Sequence, residues 1–178
     1  DTREAQEACE EQKPNNNNED ELRPQQNGHS AWCRLKESAE KCSREGNYSE
    51  ASKNWLAAFE AAREMAPTVQ WYTLDNLSST YLDSKQSDQA ELYSTLAVEL
   101  AKELQLDPCY LARSLNTLAG ALYHQGQFAE AEPLAVQVLQ IYNKALGRGH
   151  ADVGTAANNL AMVYHAQSKF QLAEMLYQ

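Results

Sequence analysis

Residues 115–134, which read LNTLAGALYHQGQFAEAEPL, contain the pattern that decides the fold of this chain. Leu115, Leu118 and Leu122 recur at spacings of three and four residues, which places them on one face of a helix. Gly126 interrupts this stripe, and a second helical pattern of apolar residues follows it. The stretch therefore predicts two helices joined by a tight turn.

The same two-helix pattern recurs along the chain at intervals of about 40 residues, which is typical of a repeat array. Each unit has an alanine at the same place in its second helix, where a small side chain lets neighbouring helices approach closely. These alanines are Ala51, Ala90, Ala131 and Ala173. The predicted array covers residues 30–178, and its four units, the last of them incomplete, are 32–69, 70–109, 110–151 and 152–178.

Residues 1–29 differ in composition from the rest of the chain. They carry eight acidic and three basic residues, a run of four asparagines and a single leucine. Such a segment cannot bury enough apolar surface to offset the entropy lost on ordering. We therefore predict an acidic disordered tail or linker over residues 1–29.

The composition also argues against several classes of function. The chain has 178 residues and a formal charge of −10, whereas binding to nucleic acid relies on Lys and Arg that contact phosphates. No run approaches the roughly 20 apolar residues that span a membrane. The four cysteines form no CxxC pair, which favours reduced thiols. We expect a cytoplasmic protein that binds no nucleic acid and has no membrane span.

A search for catalytic motifs finds none of the common ones. The patterns GxSxG, HExxH and GxxxxGKS/T are all absent. His124 and His165 end the first helices of adjacent units and could approach each other. Two imidazoles without carboxylate or thiolate partners nevertheless make an incomplete metal site. We predict no catalytic residue, no metal site, no cofactor and no enzyme activity.

Three stretches resemble tetratricopeptide repeats, and in particular the units of about 42 residues in kinesin light chains: 115–119 (LNTLA), 125–134 (QGQFAEAEPL) and 146–153 (LGRGHADV). The sequence departs from the family pattern at Ser87, where an aromatic residue is usual, and at Ala151, where proline is usual. The resemblance implies an all-α fold, in which helix-turn-helix repeats form a right-handed superhelical solenoid.

The resemblance further implies a scaffold or adaptor that binds an extended peptide segment of a partner protein in a concave groove. The first helix of each unit would line that groove. Asparagine is a weak helix former, so asparagines inside these helices suggest hydrogen bonds to a peptide backbone. They could equally be solvated, or bond between neighbouring helices. The predicted peptide-binding residues are Lys36, Tyr72, Asn76, Arg113, Asn116, Tyr123, Asn158, Asn159 and Met162.

One form of the groove can be compared residue by residue with this chain. Family members that bind the carboxy-terminal carboxylates of chaperones use a clamp of cations and asparagines. Lys36, Asn76 and Arg113 match this clamp. Glu40 stands where asparagine is needed and Thr117 where arginine is needed, and Glu40 would repel a carboxylate ligand. The sequence therefore disfavours a carboxylate clamp.

Two other functions remain open at this stage. The array could be a non-catalytic regulatory domain of a larger enzyme or signalling protein. It could instead self-associate, because the fourth unit ends soon after Leu172 without the polar capping helix that usually closes a repeat array. For the same reason we expect the chain to be part of a longer protein.

Overall fold

The computed structural model describes residues 23–177, with side chains from His29 onward. Every regular element in this range is a helix, and none is a strand. The helices are α1 (Arg23–Arg44), α2 (Tyr48–Ala61), α3 (Pro67–Asp83), α4 (Ser87–Glu103), α5 (Pro108–His124), α6 (Phe128–Leu146), α7 (Ala151–Ala166) and α8 (Phe170–Met175). The prediction of an all-α fold is confirmed.

The first helix starts earlier than the sequence pattern indicates. It begins at Arg23, within the segment that we predict to be a tail, rather than near residue 30. Residues 1–22 lie outside the described part of the chain, so the disordered tail stays a prediction there.

The described residues divide into two compact units, one that ends at Thr73 and one that begins at Leu74. In the amino-terminal unit, α1 packs against α2, and the core contains Trp32 and Trp55, each 1% exposed. The indole Nε1 of Trp32 donates a buried hydrogen bond of 2.9 Å to Oγ1 of Thr73. This bond satisfies the one polar atom of a side chain that is otherwise suited to a dry core.

The carboxy-terminal unit is built from successive helix contacts. α4 packs against α5, α5 against α6, α6 against α7 and α7 against α8. Leu115 and Leu122 of the stripe in α5 are 2% and 5% exposed, and Leu118 is half-buried. Burying one such leucine contributes about 1.5–3 kcal/mol. The helix face predicted from the leucine spacing is therefore confirmed as a core face.

Each unit turns between its two helices through a residue with positive φ. Gly46 and Gly126 have φ of 75° and 79° at this place, while Lys85 and Ser168 have φ of 62° and 61°. The left-handed conformation suits glycine and strains other residues. The four turns nevertheless have the same form. In each, the residue after the one with positive φ donates its backbone N–H to a carbonyl in the last turn of the first helix. Gln127 N, for example, donates to Leu122 O at 2.9 Å.

None of the helices within residues 23–177 combines the length and the apolar composition required to span a bilayer.

Candidate functional site

The predicted peptide-binding residues fall into the two compact units. Lys36 and Tyr72 belong to the amino-terminal unit. The remaining residues lie on α3, α5 and α7 of the carboxy-terminal unit, and we refer to them as the first-helix face: Asn76, Arg113, Asn116, Tyr123, Asn158, Asn159 and Met162.

A buried carboxylate ties α5 to α3 at one end of the first-helix face. Asp75 is 1% exposed, and its Oδ1 accepts a hydrogen bond of 2.7 Å from Ser114 Oγ. Its Oδ2 lies 2.6 Å from Nε of Arg113, whose side chain is 40% exposed. Nη2 of Arg113 also donates to Oδ1 of Asn76 at 3.1 Å. Arg113 is thus held between two residues of α3.

Burial raises the pKa of Asp75 above its usual range, while the Arg113 guanidinium and the Ser114 hydroxyl oppose this shift. Oδ2 has no well-aligned hydrogen bond in the described part of the chain, so the contact with Arg113 is mainly an ion pair. The guanidinium is therefore the principal compensation for a charge that has been removed from water. Sequence reasoning did not predict that Asp75 is buried, because nothing in its local pattern indicates burial.

Two asparagines join α7 to α5 farther along the same face. Nδ2 of Asn159 donates to Oδ1 of Asn116 at 3.0 Å, and both residues are half-buried. This bond leaves the side-chain N–H groups of Asn116 and the side-chain carbonyl oxygen of Asn159 available. Among the described residues, no other group forms a hydrogen bond with them. Of the alternatives left open by the sequence, a bond between neighbouring helices is therefore present here.

The other predicted residues of the face are more open. Asn158 is exposed, with its Nδ2 3.7 Å from Sδ of Met162, and Tyr177 Oη donates to its Oδ1 at 3.4 Å. Met162 is 39% exposed. Tyr123 is half-buried, and its ring centroid lies 5.4 Å from that of Phe128. These side chains supply apolar surface beside the polar groups of the face.

Lys36 and Tyr72 take part in an aromatic cluster of the amino-terminal unit. Nζ of Lys36 lies 5.5 Å from the ring centroid of Trp32 and 5.7 Å from that of Tyr72, and the side chain is only 11% exposed. Its Nζ is 4.0 Å from Oε1 of Glu40, which also accepts a hydrogen bond of 3.0 Å from Tyr72 Oη. These contacts resemble cation–π packing of a partly desolvated lysine.

Both cations of the disfavoured carboxylate clamp already contact a carboxylate, since Lys36 faces Glu40 and Arg113 faces Asp75. The two histidines considered as metal ligands each make an edge-to-face contact with an aromatic ring. His124 lies 5.6 Å from the ring of Tyr123, and His165 lies 5.1 Å from that of Phe170. Within residues 29–177, no three His, Cys, Asp or Glu side chains converge as a metal site.

Comparison with known proteins finds a family match for part of the chain. A family model described as tetratricopeptide repeat matches residues 110–178. No curated protein sequence matches the chain significantly. Among solved structures, the repeats of a protein assigned as a kinesin light chain from Podosopora anserina align with a TM-score of 0.73 and 22% identity, covering 86% of this chain and 72% of that one.

Two further structures share the architecture. BtubC (BKLC) from P. vanneervenii aligns with a TM-score of 0.70 and 22% identity. The alignment covers 78% of this chain and 56% of that protein, so this chain spans little more than half of its length. The TPR domain of Arabidopsis FLU aligns with a TM-score of 0.57 and 21% identity, covering 63% of this chain and 92% of that domain. The predicted fold class and the resemblance to kinesin-light-chain-type tetratricopeptide repeats are confirmed. Repeats of this family generally mediate protein–protein interactions.

Proposed function

We propose that this tetratricopeptide-repeat chain is a protein-binding scaffold, and that the first-helix face of its carboxy-terminal unit holds an extended peptide segment of a partner. The observation that carries the proposal is the Asn116–Asn159 pair, which bridges two neighbouring first helices and is half-buried rather than sealed in the core.

The pair offers a peptide backbone both donors and an acceptor. Asn116 keeps both N–H groups of its side-chain amide after the bond between the two side chains, and Asn159 keeps its carbonyl oxygen. If both amides were flipped, the roles would exchange and the pair would still offer donors and an acceptor. A peptide unit presents one C=O and one N–H, so the pair can bind it without selecting a side chain.

Arg113 would contribute hydrogen-bond donors rather than net charge. Its guanidinium is paired with Asp75, and part of it reaches the surface. A partner segment therefore needs no carboxylate to bind beside it, and an acidic segment would gain less than it would from an unpaired cation. Met162 and Tyr123 would add apolar contacts on the same face. The proposal leaves out Lys36 and Tyr72, because both are engaged in the cluster of the amino-terminal unit.

Selection of random peptides of about 16 residues, displayed on phage against the whole chain, would test this function. We expect the selected peptides to bind the Asn116→Ala/Asn159→Ala variant about tenfold or more weakly, since two hydrogen bonds of about 0.5–1.5 kcal/mol each are lost. The matched control is Gln137→Ala/Gln140→Ala, which changes two exposed amides on α6. Circular dichroism verifies that each variant is folded. Peptides that bind both variants as well as the parent chain would contradict the proposal.

A second candidate function is self-association through α8. This helix and the residues after it expose large apolar side chains: Phe170 at 56%, Met175 at 70% and Tyr177 at 65%. Exposed apolar surface of this kind favours contact with another helix. Light scattering over a range of concentrations should show a mass above that of the monomer, and Phe170→Ser/Met175→Ser should abolish the increase. A constant monomer mass for the parent chain would exclude this function.

A further inference from the structure

The solvent face of α4 carries two exposed leucines, one helical turn apart. Leu92 is 51% exposed and Leu96 is 38% exposed. They are surrounded by acidic side chains and lie along a shallow, open surface. We call this surface the outer stripe, and its residues are Asp88, Glu91, Leu92, Thr95, Leu96 and Glu99.

The repeat fold does not require these leucines. The buried alanines Ala51, Ala90 and Ala131 fix the alignment of the second helices α2, α4 and α6. At the places of Leu92 and Leu96, α2 has Lys53 and Ala57, and α6 has Pro133 and Gln137, all exposed. In α8, which Ala173 aligns, Met175 stands at the place of Leu92 and is 70% exposed. Because α2 and α6 fill the same places without a large apolar residue, the packing of the repeats does not require the leucines of α4.

The stripe also carries uncompensated negative charge. Asp88 Oδ1 and Glu91 Oε2 both accept hydrogen bonds from Nε2 of Gln125, at 3.1 Å and 2.9 Å. Gln125 is neutral, so it leaves both charges in place. Within the described residues, no lysine or arginine forms an ion pair with Asp88, Glu91 or Glu99. The two leucines are thus bordered by three carboxylates, and no lysine or arginine among the described residues forms an ion pair with them.

We infer that the outer stripe is a docking surface for a basic amphipathic helix of a partner protein. Two apolar side chains of that helix, three or four residues apart, would cover Leu92 and Leu96, because side chains at this spacing lie about 5–6 Å apart on a helix. Lysines or arginines beside them would face Asp88, Glu91 and Glu99. The backbone of α4 is hydrogen-bonded within its own helix, so the stripe has no edge to which an extended strand could pair.

Charge complementarity selects this occupant over the alternatives. A second copy that docked through the same stripe would bring three carboxylates against three, and like charges at short range repel. The first 29 residues of this chain carry eight acidic and three basic residues, so they are repelled as well. Nucleic acid and anionic lipid surfaces are disfavoured for the same reason.

Binding of a synthetic peptide to the whole chain would test the inference. The probe is a fluorescent helical peptide of about 14 residues. Its leucines are spaced alternately three and four residues apart, so that they share one face, and every other residue is lysine. Its control replaces every lysine with glutamate. In fluorescence anisotropy at about 0.1 M salt, we expect Leu92→Ser/Leu96→Ser to weaken binding of the lysine peptide at least tenfold. The matched variant Leu146→Ser/Leu172→Ser changes two other exposed leucines and should leave binding within twofold.

Several outcomes would overturn the inference. No binding of the lysine peptide would do so, as would equal loss in both leucine variants or tight binding of the glutamate peptide. A dimer of the parent chain that dissociates on Leu92→Ser/Leu96→Ser would show that a second copy covers the stripe. Asn116→Ala/Asn159→Ala should leave peptide binding unchanged, and a loss there would assign the peptide to the first-helix face. Either proposal can therefore fail without the other.

Discussion

Replacement of Arg113 by methionine should destabilise the chain by about 3 kcal/mol at pH 7. The change removes the guanidinium that lies 2.6 Å from the carboxylate of Asp75, which is 1% exposed. Stranding one partner of a buried ion pair costs about 3–5 kcal/mol. We expect the lower end of that range, because the Arg113 side chain is 40% exposed and the bond from Ser114 to Asp75 remains.

A double-mutant cycle separates the ion pair from the loss of packing around Arg113. Asparagine occupies the place of Asp75 in the next unit, as Asn116, so Asp75→Asn is a replacement that the fold already uses. The Asp75→Asn/Arg113→Met variant should lie within about 1 kcal/mol of the parent chain, since no buried charge is left unpaired. The double variant should therefore be about 2 kcal/mol more stable than Arg113→Met alone.

Urea unfolding followed by circular dichroism would give these free energies.

Acid should also reduce the loss of stability caused by Arg113→Met. Burial raises the folded-state pKa of Asp75, and loss of the guanidinium removes a contact that lowers it. The folded variant then binds a proton more readily than the unfolded chain, so its stability rises relative to the parent as the pH falls through that raised pKa. A penalty below about 1 kcal/mol at pH 7, or a double variant as unstable as the single one, would refute this account of the pair.

Three further predictions concern single contacts and can be measured by denaturant or thermal unfolding. Lys85→Gly should stabilise the chain by about 0.5–1 kcal/mol, because Lys85 holds a φ of 62° that glycine adopts without strain, and a loss of stability would contradict this. Glu132→Gln should cost about 0.2–1 kcal/mol at neutral pH, since Nζ of Lys169 lies 2.7 Å from Oε2 of Glu132. The hydrogen bond from Lys169 lowers the pKa of Glu132, so this contribution should be lost as the pH falls through that lowered pKa, and a difference that persists to about pH 2 would argue against it. At Gly120, an added Cβ would lie 2.9 Å from Cδ2 of Leu82, the movable end of a side chain. Alanine there should change stability by less than about 1 kcal/mol while valine should cost about 1–3 kcal/mol, and equal stability of the two variants would contradict this close approach.

The sequence was sufficient for the helices and their pairing because the signals involved are local. Spacings of three and four residues place Leu115 and Leu122 on one helix face, and both side chains are buried. Gly126 marks a turn that needs a left-handed residue. The equivalent turns at Lys85 and Ser168 lack this glycine signal, and only the repeat spacing placed turns there.

The candidate site was predicted as a set of residues, but the contacts among them were not. The sequence selected Arg113, Asn116 and Asn159, and for the two asparagines it left open whether they face a ligand or bond to neighbouring helices. In the structure, Arg113 contacts Asp75, and Asn159 bonds to Asn116. The outer stripe was also missed, because a leucine at spacing four has the same local pattern whether it faces the core or the solvent.

The sequence by itself thus determined the all-α class, the helix pairs and the repeat period, since hydrophobic periodicity and turn residues act over one or two helical turns. Only the tertiary structure decided that Asp75 is buried and that Arg113 lies beside it. These two residues come from different repeat units, and their contact depends on how α3 and α5 cross. Crossing geometry follows from the packing of many side chains together, and no short stretch of sequence encodes it.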